Sequence, residues 1–170
     1  MGSTILESSG VPSHCMKTVH KSVLIWYSAQ EMFDLVADVA NYPRFLPWCD
    51  HALVLSHEAD GVIAEVGIAM AGVRQNFTTR NTHEPGRSIA MHMIEGPFSS
   101  LHGQWTFDAL HAPGMGETQT RASLRACRVD LRLQYGFGNP VLAKLVGPVF
   151  DKISGQLVDA FVKRAEQVYG

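Results

Sequence analysis

The C-terminal third of the chain constrains the fold most, because its hydrophobic period changes there from two to that of a helix. Cys127, Val129, Leu131, Leu133, Tyr135 and Phe137 alternate with Arg128, Asp130, Arg132 and Gln134, as in a strand with one apolar face. Asn139-Pro140 then suits an N-cap followed by the first helical position. Leu142, Leu145, Val146, Val149, Phe150, Ile153, Leu157, Ala160, Phe161 and Val168 follow at helical spacing. A helix of about 30 residues at 1.5 Å each is roughly 45 Å long. Six or seven strands about 4.8 Å apart make a sheet about 30 Å wide. One helix therefore spans the whole sheet, and it has to cover the apolar face that the strands present. Gly147-Pro148 interrupts it, and two readings stand: a kinked helix, or a main helix that begins at Pro148 after a short turn.

The period of two extends upstream to His51. Val62, Ala64, Val66, Ile68 and Met70 share one face, Phe77 shares another with Gln75 and Thr79, and Ile89, Met91 and Met93 a third. Leu101, Gly103, Trp105 and Phe107 alternate with His102, Gln104, Thr106 and Asp108. Asp60-Gly61, Ala71-Gly72, Glu84-Pro85-Gly86, Glu95-Gly96-Pro97 and Pro113-Gly114 punctuate these runs as turns. Short links between alternating strands imply an antiparallel meander. Ahead of it, Val19 to Ile25 reads as a strand, and Ser28-Ala29-Gln30-Glu31 has the form of a capping box. The helix it opens carries Met32, Phe33, Val36 and Val39 and stops at Asn41-Tyr42-Pro43. The expected class is α+β: a curved antiparallel sheet wrapped around a long C-terminal helix. The chain of 170 residues fits one domain. Residues 1–16 read as a loose Ser- and Gly-rich extension, with Met16 a candidate start, and residues 17–170 as the domain.

Charge and motifs exclude much chemistry. The formal net charge of −2, with acids and bases interspersed, gives no reason to expect a nucleic-acid surface, though it leaves room for a local basic patch, and no DNA partner is expected. Cys15, Cys49 and Cys127 are far apart and read as unpaired thiols of a reducing compartment. The eight histidines form no His-x-x-x-His pair, and most fall in loops or on variable strand positions. There is no Gly-x-Ser-x-Gly elbow, phosphate loop or dinucleotide fingerprint, and the carboxylates are scattered. No catalytic residue, metal or cofactor is expected. The longest apolar run near the start, Val23 to Tyr27, is too short for a signal core or a membrane span. A cytoplasmic protein is expected.

Several motifs in order resemble one family. Tyr27 to Phe33, Asp38-Val39, Tyr42 to Cys49, Phe77 to Asn81, Glu95-Gly96-Pro97-Phe98, Gly103 to Phe107, Val149-Phe150-Asp151, Ala160-Phe161 and Arg164 to Tyr169 resemble the coenzyme Q-binding START-domain proteins. These belong to the polyketide cyclase/START-like superfamily, which includes the bacterial RatA-type toxins. The likeness covers about residues 17–169; Glu95 replaces a usual Asp, Pro148 is unusual, and Trp48-Cys49 is closer to the quinone-binding members. The resemblance implies a helix-grip fold with an apolar cavity between sheet and helix. It also implies ubiquinone or a related polyprenyl lipid as bound ligand, a link to respiration, and a location peripheral to the inner membrane. Its alternatives are a toxin that inhibits ribosomal subunit association, with the ribosome as partner, and a small cyclase or hydrolase using the same cavity. The cavity candidates are Phe77, Met91, Met93, Trp105, Phe107, Leu133, Tyr135, Leu145, Val149, Phe150 and Ile153. Phe45, Leu46, Pro47 and Trp48 are candidates for its mouth and for membrane contact; a hydrophobic plug on the sheet end is the other reading of that segment.

Overall fold

In the computed structural model, residues 16–110 and 125–170 are described. His14, Cys15, His111, the Pro113-Gly114 turn and all but the last residue of the expected extension lie outside them. Seven strands form one antiparallel sheet: β1 Lys17–Ile25, β2 Cys49–Glu58, β3 Gly61–Met70, β4 Val73–Glu84, β5 Ser88–Glu95, β6 Ser100–Ala109 and β7 Cys127–Gly136. Their order, β1-β7-β6-β5-β4-β3-β2, is a meander from β2 to β7 with β1 added beside the last strand. The first two strands are therefore opposite edges. Helix α1 (Ala29–Ala37) and a 3-10 turn (Val39–Arg44) carry the chain between them.

The expected capping box is present: Glu31 N–H donates to Ser28 Oγ at 3.1 Å, and Ser28 N–H donates to Glu31 Oε1 at 3.0 Å. Helix α2 runs from Pro140 to Tyr169 with Pro148 inside it, so it does not begin at Pro148. The carbonyl left without a donor by Pro148 belongs to Lys144, which lies on the exposed face and can turn to water. Asn139 caps the start, its side chain accepting from Val141 N–H at 2.8 Å.

The inner face of the sheet packs on α2 in overlapping clusters. One gathers Met32, Phe33 and Val36 of α1, Trp105, Phe107, Val129 and Leu131 of the sheet, and Val158, Phe161 and Ala165 of α2. A second gathers Ile68, Phe98, Leu101, Leu133 and Tyr135 around Val149, Phe150 and Ile153. A third, with Leu46 and Cys49, covers Val62, Ala64 and Val66. Tyr135 donates its hydroxyl hydrogen to Asp151, which also pairs with Lys17, so one carboxylate ties β7, α2 and β1.

Candidate functional site

Inner-face register places the candidate residues. Val66 lies opposite Phe77, and Thr79 opposite Met93. Asn81 faces Met91, then Gly103 and Leu133 follow in the same row across β6 and β7. The two halves of α2 meet this face differently. Trp105 and Phe107 are 1% and 2% exposed, locked by Phe33 and Phe161 into the closed core around the second half of α2. Leu133, Tyr135, Val149, Phe150 and Ile153 surround its first half. Phe77 and Met93 pack on that second group while only partly buried, as do Trp48, Met70, Val73 and Phe137. The result is an apolar, aromatic-rich cluster with a partly buried rim. Met91 packs instead against the closed core, half-buried, in the space left by Gly103; a Cβ on Gly103 would lie 2.5 Å from Met91 Cε.

Phe98 is the hub of this cluster, and strand periodicity misses it because it sits in the turn between β5 and β6. Its ring centroid lies 4.7 Å from that of Phe150, 5.0 Å from Phe137, 6.0 Å from Phe77 and 6.3 Å from Tyr135. Gly96 allows this turn to close on the sheet, since a Cβ there would lie 2.7 Å from Phe77 Cβ. Beside the rim a cleft of about 390 Å3 runs between Leu142 of α2, Gly96-Pro97, and the polar side chains of Glu65, Gln75, Asn76, Thr78 and Glu95.

Four further candidates are placed elsewhere than expected. Leu145 is 60% exposed and is no part of the wall. It lies two helical turns before the exposed Lys152 and so shares the solvent face of α2. Leu46 is 1% exposed in the third cluster, which makes it a plug of the sheet end; Phe45 is half-buried against Tyr42 and Phe161. Pro47 is exposed and Trp48 half-buried at the rim, so the connector contributes one rim residue.

Electrostatics of the interior are mild. Among the described residues the buried polar side chains are Thr78, Thr79, Asn81 and Ser154. Thr79 Oγ1 donates to Asn81 Oδ1 at 2.8 Å on the inner face. Burial pushes the Tyr135 hydroxyl up to about 12, aided by Asp151. Burial also raises the Cys49 and Cys127 thiols, to about 11 and about 12, so both remain neutral. No group of three or more potential metal ligands occurs among the described residues.

A curved antiparallel sheet gripping a long C-terminal helix defines the helix-grip fold of START-like proteins. The chain belongs to the polyketide cyclase/dehydrase and lipid transport family, whose profile matches residues 25–162. It is 40% identical over 155 residues to the ribosome association toxin RatA of Vibrio cholerae, covering 91% of this chain and 99% of that protein. It is 29% identical over 152 residues to the mitochondrial coenzyme Q-binding protein COQ10 homolog B of Xenopus laevis, covering 88% of this chain and 58% of that one. The Zhui aromatase/cyclase of Streptomyces sp. R1128 superposes with a TM-score of 0.75 at 17% identity, covering 91% of this chain and 96% of that one; this likeness concerns the fold alone.

Proposed function

We propose that the protein binds ubiquinone or a related polyprenyl lipid between the inner face of the sheet and α2 and acts as a carrier or chaperone supporting respiration, without catalysing a reaction. The observation that carries this reading is the aromatic cluster around Phe98, between the sheet and α2, with its partly buried rim of Trp48, Phe77, Met93 and Phe137. Burial of one five-carbon isoprene unit contributes about 4 kcal/mol at about 0.8 per carbon. Two or three units and a ring thus give useful affinity without a charged anchor. A full-length tail exceeds pockets of about 300 to 1,000 Å3, so the remainder would stay at the rim or in a bilayer. The exposed Ile94 and Val141 adjoin the cleft residues Glu95 and Leu142 in sequence, Leu145 lies one helical turn from Leu142, and all three suit transient contact with a membrane surface. No helix among the described residues is long and apolar enough to cross a membrane. The similarity to a coenzyme Q-binding protein supports the ligand class. The uncharged character of the buried polar side chains supports a carrier over an acid–base enzyme.

Extraction of the purified protein with organic solvent, followed by mass spectrometry, should return a polyprenyl lipid. Added short-chain quinone should quench the emission of Trp48 and leave that of the exposed Trp26 unchanged. Extracts indistinguishable from solvent blanks, together with unaltered fluorescence, would end the carrier reading. The higher identity to RatA favours a second reading, in which the chain acts on ribosome association. Sedimentation of ribosomes with added protein tests it, and an undiminished 70S peak counts against it.

A further inference from the structure

On the inner face of the meander, β4 differs from its neighbours. The inward residues of β3 are Val62, Ala64, Val66 and Ile68, and those of β5 are Ile89, Met91 and Met93. Between them β4 presents Thr79, Asn81 and His83, which lie opposite Met93, Met91 and Ile89. Polar groups in an apolar interior cost free energy unless they find partners. Thr79 and Asn81 satisfy one another in part, and Asn81 Oδ1 is the atom engaged. Its amide hydrogens are therefore what Asn81 offers a ligand. His83 Nε2 is buried without a hydrogen-bond partner, while its ring packs edge-on to Phe33 at 5.6 Å. Burial lowers the pKa of His83, against the opposing field of Asp60, so the imidazole is neutral near pH 7 and can carry hydrogen on Nε2.

The space facing Thr79 and Asn81 is held by flexible side chains, and His83 is flanked by Ile89 and Phe33. Met91 occupies the gap left by Gly103, and Met93 stands opposite Thr79. An unbranched thioether repacks more readily than a branched or aromatic residue. Asn81 and His83 are two strand residues apart, about 6.6 Å along β4. That spacing is comparable with the separation of the carbonyl oxygens across a quinone ring.

We infer that Asn81 and His83 form a head-group recognition site on β4, donating hydrogen bonds to the ring oxygens of an oxygen-bearing prenyl lipid, while the Thr79 hydroxyl holds the Asn81 amide in place. The head enters first and lies against β4; the tail leaves past Phe77 and Phe98. This inference rests on the carrier reading and names the part of the ligand that β4 selects.

The test uses two probes, a diprenyl benzoquinone and the corresponding diprenylbenzene, which lacks ring oxygens. Each is equilibrated with the protein and quantified after extraction. The wild type should bind the quinone at least about tenfold more tightly than the hydrocarbon, because unmet polar groups penalise the oxygen-free analogue. N81L and H83F should each lower quinone affinity about tenfold and leave hydrocarbon binding equal or tighter. T79V, a smaller change, guards against a variant that fails to fold, and circular dichroism checks all three. Equal binding of both probes, unchanged in the variants, overturns the head-group site and leaves an apolar carrier. Binding of neither probe overturns the carrier reading itself, and this site with it.

Discussion

Glu31 shows how much one side chain can join. Its carboxylate takes paired hydrogen bonds from Arg125 at 2.8 and 2.6 Å, and its backbone carbonyl accepts from the Tyr169 hydroxyl at 2.9 Å. The Arg125 guanidinium also lies 5.3 Å from the centre of the Tyr27 ring. The Arg125 hydrogen bonds, against the cost of burial, hold the Glu31 carboxyl at about 2, below its ordinary 4.5. A depressed carboxyl contributes stability that is complete above 4.5 and is lost as pH falls toward 2. E31Q should therefore flatten the stability profile over that window in denaturant titrations. At pH 7 it should cost about 1 kcal/mol, since Gln keeps the capping geometry and the pair is partly exposed. Leu46 gives a contrasting prediction. Its burial makes L46A lose about 2 to 5 kcal/mol in urea unfolding, whereas the exposed L145A should shift stability by less than about 0.5 kcal/mol.

At the scale of elements, α2 and β7 were legible because their periods are long and unbroken. The face of α2 was less so. Leu145 and Val158 are both branched aliphatics at near-helical intervals, yet the first is exposed and the second buried. Only the positions of the sheet and Lys152 decide between them. Phe98 was hidden for another reason, since a turn residue has no period to betray its direction. On β4 the alternation was visible, but Thr79, Asn81 and His83 are residues that ordinarily face water, so their inward face followed only from pairing with Val62 and Met91. Pro148 offers a prediction at this scale. P148A returns a backbone donor to the first half of α2 and removes a poor helix former. It should raise the midpoint of thermal unfolding, by the equivalent of about 1 to 3 kcal/mol. No increase would show that the missing bond is already replaced by water.

Across the whole molecule the sheet is open and has two edges. β2 exposes Leu53 and Leu55 on one, and β1 exposes Leu24 on the other. Unpaired edges with apolar side chains invite pairing between copies. L53K with L55K should lower self-association at high concentration, as read by light scattering, with the far-ultraviolet spectrum unchanged. The placement of β1 has a second consequence, one of timing. Lys17 pairs with Tyr135 and Ile25 with Cys127, so β1 is completed by a strand more than 100 residues further along the chain, about as far as the described sheet allows. The meander from β2 to β6 can zip up through near neighbours as synthesis proceeds. β1 has to wait unpaired for β7, and α2 is made only after that. Such distant closures slow folding, and the sheet can close around its helix only once both β7 and α2 have been made.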